Sequence, residues 1–223
     1  RKDKEQWRKA IDQELESHRK YQTWTVVPRT NKMKVIDSKW VLKIKKDGNG
    51  NLDRYKARLV AKGYQLNEYS DTYSPVAKIN TFRILISVAN QFNYEVEQMD
   101  VKTAFLNGTI NEEIYMDLPE DLYSENMVCK LNKSIYGLKQ SPKCWNTKFN
   151  DFMKGENFKN SLYDTCLYVK QSSNVIIYVL LYVDDIIIVG NSMDEIQTFK
   201  SQLSSVFEMS DMGQVKYFLG LNI

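Results

Sequence analysis

The chain has 223 residues, 43% of them hydrophobic and 26% charged, and this ordinary globular composition excludes a disordered or collagen-like protein. Its 31 basic and 28 acidic residues give a net charge of +3, so the total shows no strong bias toward nucleic acid. Three scattered cysteines and a single histidine exclude a disulfide framework and a histidine-rich metal site.

Periodic apolar residues and turn residues predict mixed secondary structure. In chain order they predict a helix over 4–19, a strand over 23–27, two strands over 39–46 and 53–61, a helix over 81–92, a strand over 94–101, a helix over 142–155, two strands within 175–190, a helix over 193–207 and a strand over 214–223. Residues 47–51 are Asp, Gly and Asn, which tolerate positive φ, so the strands on either side form a hairpin. Strands and helices alternate irregularly, which is typical of the α+β class.

The longest apolar run and the first residue indicate whether the chain contacts a membrane and whether it belongs to a longer protein. The run over 175–189 is interrupted by Asp184 and Asp185, and an aspartate at the centre of a bilayer costs about 2.5–3.5 kcal/mol, so we expect no membrane partner. The first residue is Arg rather than Met, and we therefore expect the chain to be a piece of a longer polyprotein.

The predicted hairpin carries an excess of positive charge. Its basic residues are Lys39, Lys43, Lys45, Lys46, Arg54, Lys56, Arg58 and Lys62. Only Asp47 and Asp53 oppose them, which leaves a local net charge of +6. Such a cluster is typical of a phosphate-binding surface, although a solvated hairpin with an incidental bias explains the charge equally well.

Asp184 and Asp185 lie between two apolar strands, where buried ionised carboxylates are costly and adjacent negative charges repel. A hard divalent cation such as Mg²⁺ would relieve both costs. Asp100 ends its own predicted strand and is a third candidate ligand. Three carboxylates at neighbouring strand ends would suit two-metal phosphoryl transfer, whereas the Asp-Asp pair alone favours a turn with solvent-facing aspartates.

Five segments together resemble one enzyme family. Residues 182–185 read YVDD and resemble the YxDD box of reverse transcriptases. Four further segments resemble the copia-type branch of LTR retrotransposons, namely RYKARLVAKG at 54–63, QMDVKTAFLNG at 98–108, LNKSIYGLKQ at 131–140 and FLG at 218–220. They occur in the order of that family and cover essentially the whole chain, which is therefore similar to the reverse transcriptase domain of a copia-type Pol polyprotein.

The resemblance implies the architecture of a right-hand polymerase. It implies an α+β fold with fingers and palm, an antiparallel palm sheet with helices on one face, and no thumb. The implied parts are an N-terminal helix at 1–21, fingers at 22–80 with the basic hairpin, palm at 81–109, fingers again at 110–140 and palm at 141–223. The last part ends at the start of the primer grip, at 218–220, although an ordinary core strand is an equal alternative there.

The resemblance also implies an activity, RNA-directed DNA polymerisation, in which a primer 3′-hydroxyl attacks the α-phosphate of a dNTP. Asp100, Asp184 and Asp185 would be the catalytic carboxylates. Together with the carbonyl of Val101 they would bind two Mg²⁺ ions, for which Mn²⁺ can substitute.

The same resemblance assigns residues to the incoming dNTP. Arg58 would contact the α-phosphate, because a planar guanidinium matches phosphate oxygens. Lys43 or Lys45 would take the γ-phosphate side, unless they are ordinary solvated side chains. Phe105 would be the steric gate against a 2′-hydroxyl, although a core aromatic is the plainer interpretation. Tyr136 stands where retroviral enzymes carry a dNTP-contacting glutamine.

The implied partners are an RNA or DNA template, a primer strand, dNTPs and the RNase H and integrase segments of the polyprotein. The implied location is a cytoplasmic virus-like particle, with later nuclear entry of the product. Two alternatives remain open. One is a non-catalytic, truncated nucleic-acid-binding relic of the same element, and the other is a different palm-type nucleotidyl transferase or cyclase.

Overall fold

The computed structural model describes residues 3–46, 50–66, 72–122 and 124–223. The chain forms two compact units, the first from Arg1–Tyr73 with Phe105–Trp145 and the second from Ser74–Ala104 with Asn146–Ile223. Each unit therefore combines two stretches of chain that are distant in sequence.

Besides three short 3₁₀ helices, the described part of the chain has four α-helices and fourteen strands. In chain order they are α1 (Lys4–Lys20), β1 (Trp24–Pro28), β2 (Val35–Ile36), β3 (Ser38–Lys46), β4 (Leu52–Ala61), α2 (Ile79–Phe92), β5 (Glu95–Val101), β6 (Tyr115–Asp117), β7 (Met127–Leu131), α3 (Ser141–Gly155), β8 (Lys159–Asn160), β9 (Leu167–Ser172), β10 (Val175–Tyr182), β11 (Asp185–Gly190), α4 (Met193–Val206), β12 (Met209–Gln214), β13 (Tyr217–Phe218) and β14 (Leu221–Asn222). The predicted α+β class is confirmed, and all four predicted helices lie within two residues of their expected ends. No helix among the described residues is both long and apolar enough to cross a membrane.

The predicted final strand over 214–223 is wrong. Gln214 ends β12, and β13 and β14 then pair with each other as a short hairpin. The chain reverses because Leu219 and Gly220 have φ angles of +48° and +85°, which an extended strand does not allow.

The first unit contains two sheets. One has the strand order β1-β7-β6-β2, and the other is the predicted hairpin of β3 and β4. Residues 47–49 of the predicted turn lie outside the described residues, while Gly50 has the expected positive φ, at +83°. Core side chains from β4, β6 and β7, among them Leu59, Met116 and Leu131, pack together under these sheets.

The second unit contains a six-stranded sheet in the order β12-β5-β11-β10-β9-β8. All of its neighbouring pairs are antiparallel, as expected. The hairpin of β10 and β11 and the pairing of β11 with β5 lie at its centre, so the stretches that carry the predicted carboxylates are neighbours.

Helices cover both faces of this sheet, so the expectation of helices on one face is wrong. Phe82 and Leu85 of α2 pack in one cluster with Ile187, whereas Phe149 of α3 contacts Tyr168 on the other face, with ring centroids 5.6 Å apart. The reason lies in β11, whose residues from Ile186 to Val189 are completely buried. A strand that is apolar on both faces must be covered on both faces.

Asp164 fixes the start of α2 from a distant part of the chain. Its buried carboxylate accepts hydrogen bonds from the Lys78 amide at 2.9 Å and from the Thr81 hydroxyl at 2.6 Å. The free amides of a helix N-terminus need such an acceptor, and the helix dipole favours a negative charge there. Asp164 thus anchors the helix that covers the face of the sheet on which the carboxylates lie.

Candidate active site

Strand pairing brings the three predicted aspartates together in the second unit. Asp100, near the end of β5, pairs directly with Asp185, the first residue of β11. The amide of Val101 donates a 2.8 Å hydrogen bond to the carbonyl of Asp184, which ties the turn to the end of β5. Side chains of directly paired antiparallel residues project from the same face, so Asp100 and Asp185 face the same side.

The turn that carries Asp184 has an unfavourable backbone at one position. Tyr182 pairs with Asp185, which leaves Val183 and Asp184 as a two-residue hairpin turn. Val183 has a φ of +59°, a conformation that a β-branched residue rarely adopts and that costs of the order of 1–3 kcal/mol. Tight hairpins favour positive φ at this position, so the turn geometry and the sheet hold Val183 there.

The three aspartates are partly buried, not fully buried as the apolar flanks suggested. The pKa of Asp185 is nevertheless raised to about 6. Burial is the main cause, followed by the negative charges of Asp184 and Asp100, while a 3.3 Å hydrogen bond from the Gln98 amide opposes the shift. The negative charges of Asp100, Asp184 and Asp185 are therefore not fully offset by the hydrogen bond from Gln98.

These residues fit a hard divalent cation by their chemistry. Carboxylate and carbonyl oxygens are the ligands that Mg²⁺ prefers, and a cation would offset the repulsion that raises the pKa of Asp185. Within the described ranges, no group of three or more His, Cys, Asp or Glu side chains is already arranged to hold a metal ion. The pairing of β5 with β11 sets the backbone spacing of Asp100 and Asp185.

A second cluster, in the first unit, joins three of the residues assigned to the dNTP. The guanidinium carbon of Arg58 lies 4.7 Å from the ring centroid of Tyr136, within the range of a cation–π contact. The Tyr136 ring in turn meets the ring of Phe105 edge-on, with centroids 4.8 Å apart. Phe105 is only partly buried, whereas its neighbour Leu106 is completely buried in the core.

A close backbone crossing places Tyr136 beside Arg58. The Ala61 amide of β4 donates to the Tyr136 carbonyl at 2.8 Å. Gly137 follows with a φ of +94°, and a Cβ there would lie 2.0 Å from the carbonyl oxygen of Ala61. Only glycine allows both the conformation and the approach.

The hairpin register gathers the basic residues on one face. Lys43 pairs with Lys56 and Lys45 pairs with Arg54, and Arg58 follows two residues after Lys56 on the same strand. Because side chains alternate along a strand, all five project from the same side, with Lys43 exposed and Lys45 partly buried. Burial lowers the pKa of Lys56, and the charges of Arg58, Arg54 and Lys45 lower it further, which shows how closely they lie.

The sequence motifs assign no individual role to Lys56 or to Gln98. Strand alternation could have indicated both, since Lys56 lies two residues before Arg58 and Gln98 two residues before Asp100. The role of the Val101 carbonyl as a metal ligand remains a prediction.

Comparison with known proteins shows the family to which the chain belongs. The family model described as "Reverse transcriptase (RNA-dependent DNA polymerase)" matches residues 21–223. The chain belongs to the reverse transcriptase family.

Relatives place it in the copia-type branch predicted from the motifs. The chain is 44% identical, over 99% of its length, to the "Retrovirus-related Pol polyprotein from transposon TNT 1-94" of Nicotiana tabacum. It is 38% identical, over 97% of its length, to that from transposon RE1 of Arabidopsis thaliana, and 31% identical, over 75%, to the "Transposon Ty1-ER2 Gag-Pol polyprotein" of Saccharomyces cerevisiae. It spans only 17%, 15% and 10% of these three proteins, respectively.

The Gly137 crossing predicts a large effect of one added methyl group. Gly137→Ala should lower the free energy of unfolding by roughly 2–4 kcal/mol, because the Cβ overlaps the Ala61 carbonyl and the positive φ is unfavourable. Gly155→Ala is the matched control, since a Cβ there meets no atom within 4 Å and should change stability by less than about 1 kcal/mol. Urea unfolding measures both, and equal effects of the two substitutions would contradict the crossing.

The raised pKa of Asp185 predicts a pH-dependent loss of stability in the metal-free protein. In the unfolded chain this carboxyl ionises near its ordinary pKa of 3.8, and in the folded protein near 6, so its stabilising contribution at low pH is lost as the pH rises through this window. Asp185→Asn should therefore become progressively more stable than the unsubstituted protein between pH 4 and pH 7. Urea unfolding in EDTA measures this difference, with the exposed Asp194→Asn as control. A constant difference across this range would show that Asp185 ionises normally.

Proposed function

We propose that this chain is an RNA-directed DNA polymerase domain. The reaction is attack of a primer 3′-hydroxyl on the α-phosphate of a dNTP, which forms the new phosphodiester bond and releases pyrophosphate. The observation that carries the proposal is the register of β5 and β11, which sets Asp100 opposite Asp185 beside the Val101–Asp184 hydrogen bond. Membership of the reverse transcriptase family supports it.

In this proposal Asp100 and Asp184 are the principal metal ligands, assisted by Asp185 and the Val101 carbonyl. Two Mg²⁺ ions, or Mn²⁺ in their place, would neutralise charge at the reacting phosphate and promote attack by the hydroxyl. The protein holds the oxygen ligands at fixed spacing through strand pairing. Gln98 donates to Asp185 and so favours the ionised carboxylate that a metal requires.

The first unit would bind the nucleotide. Arg58 offers a guanidinium to the α-phosphate, and Lys43 or Lys45 lies further along the same basic face for the γ-phosphate. The partly buried ring of Phe105 would exclude a 2′-hydroxyl by steric overlap, which selects dNTPs over rNTPs. Tyr136 contacts both Arg58 and Phe105, so we assign it to the nucleotide site as well.

The finer architecture belongs to the same proposal. The six-stranded sheet with α2, α3 and α4 would be the palm, the basic hairpin would belong to the fingers, and β13 and β14 would contribute to the primer grip. The template would be RNA or DNA held through its backbone, which predicts little sequence specificity and strong salt dependence. Assembly with RNase H and integrase segments, and work inside a cytoplasmic particle, remain predictions from the resemblance.

A non-catalytic nucleic-acid-binding role is the second candidate. The basic face of the hairpin would bind nucleic acid without a metal ion. This candidate predicts primer–template binding without synthesis.

Primer extension decides between the two. On poly(rA)–oligo(dT) at low salt with Mg²⁺ or Mn²⁺, the chain should add dTMP, and Asp184→Asn should lower the rate by about a hundredfold or more. The exposed Asp194→Asn should extend like the unsubstituted chain. Retained binding without extension by the unsubstituted chain would favour the binding role, and full activity of Asp184→Asn would refute the metal assignment.

A further inference from the structure

Helix α1 lies along β4 and is outside the stretch matched by the reverse transcriptase family model, which begins at residue 21. Trp7 meets Tyr55 of β4 edge-on, with ring centroids 4.6 Å apart. One helical turn after the buried Ala10, Glu14 reaches the same strand. The helix therefore packs along much of the strand that carries Arg58.

Glu14 forms a specific hydrogen bond with the backbone of β4. Its Oε1 accepts the Leu59 amide at 3.1 Å, and the side chain is buried, with only 7% of the residue exposed. On the other side Glu14 meets His18, whose Nε2 lies 3.6 Å from the same oxygen. His18 is itself held by Thr23, whose hydroxyl lies 2.9 Å from Nδ1. A buried carboxylate with such a fixed neighbour has little freedom to move.

The hydrogen bond between Glu14 and the Leu59 amide satisfies a backbone donor on the edge of β4 that does not pair with β3, next to Arg58. Amides two residues apart on a strand point to the same edge, so the amides of Leu59 and Ala61 both lie on the side away from β3. Glu14 takes the first amide and the Tyr136 carbonyl takes the second. Arg58 directly precedes this doubly held segment, and its guanidinium rests on the ring of Tyr136.

We propose that Glu14 is a positioning residue for nucleotide binding, which holds β4 in place so that Arg58 stays on the Tyr136 ring and meets the phosphates. This role rests on the proposed function of the basic face. Without the acceptor, the buried Leu59 amide would be unsatisfied, and β4 would shift at the residue next to Arg58. Glu14 touches no substrate atom and acts through the strand.

The test is dTTP binding in the presence of Mg²⁺, measured by isothermal titration calorimetry on the full chain. Glu14→Ala should weaken binding about three- to tenfold, which corresponds to the loss of one hydrogen bond. Glu14→Gln keeps an oxygen acceptor and should stay within about twofold of the unsubstituted chain. Glu16→Ala, an exposed carboxylate of the same helix, should have no effect.

A double-mutant cycle separates positioning from general stability. Arg58→Ala should weaken binding, and adding Glu14→Ala to it should cause no further loss, because Glu14 acts through Arg58. If Glu14→Ala does not fold, Glu14→Asp replaces it, since an aspartate is one methylene too short to reach the Leu59 amide.

Three results would overturn the role of Glu14 while Arg58→Ala still weakens binding. The first is an unchanged affinity for dTTP in the folded Glu14→Ala or Glu14→Asp protein. The second is a loss of affinity that adds fully to the loss caused by Arg58→Ala. The third is a reduced number of binding sites at unchanged affinity, which would mean only that less of the protein is folded. Absence of dTTP binding by the unsubstituted chain would instead overturn the nucleotide site itself, and the role of Glu14 with it.

Discussion

The antiparallel pairing of β5 with β11 is the constraint on which the proposed chemistry depends. This pairing sets Asp100 opposite Asp185, and the next four residues of β11, Ile186 to Val189, are apolar and completely buried. A slip of one residue would move every side chain of β11 to the opposite face, so the buried isoleucines that fix the core also fix the register of the carboxylates. Hydrophobic packing thus holds three mutually repelling aspartates together where β5 ends and β11 begins. The raised pKa of Asp185 reflects its burial and this repulsion.

The first unit depends on a comparable constraint at the edge of β4. Two backbone hydrogen bonds, to Glu14 and to the Tyr136 carbonyl, hold the strand just after Arg58. The crossing at Gly137 brings the Tyr136 ring under the guanidinium of Arg58. A sheet of only two strands is marginally stable by itself, so these contacts and α1 give the basic hairpin the rigidity that the proposed binding of a triphosphate requires.

Much of this arrangement could be predicted from the sequence, because the relevant patterns are local. The helices show clear periodicity, and the turn at Asp184 lies between two long apolar runs. Strands β2, β6 and β8 have only two or three residues, too few for alternation to appear. The chain reversal depends on the backbone conformation of Leu219 and Gly220 alone, and the prediction of one strand there was wrong.

The contacts within the site depend on tertiary structure, so they were harder to predict from the sequence. Helices cover both faces of the sheet because residues Ile186 to Val189 of β11 are completely buried. An apolar run in the sequence indicates such burial but does not prove it. The motif match assigned Arg58, Phe105 and Tyr136 separately, yet nothing in their spacing predicts that the three side chains form one row. The bond from Leu59 to Glu14 joins residues 45 positions apart, and no local pattern indicates it.

The proposed reaction requires that the ends of β5 and β11 bind the same divalent cation. When Fe²⁺ replaces Mg²⁺, added hydrogen peroxide is reduced at the bound ion to hydroxyl radical and hydroxide, and ascorbate returns the iron to Fe²⁺. The radicals cut the nearby backbone, and mass spectrometry locates the cuts. We expect cuts within both 98–102 and 182–186, which excess Mg²⁺ suppresses and Asp184→Asn abolishes. Cuts in only one of these segments, or cuts that Mg²⁺ does not suppress, would contradict it.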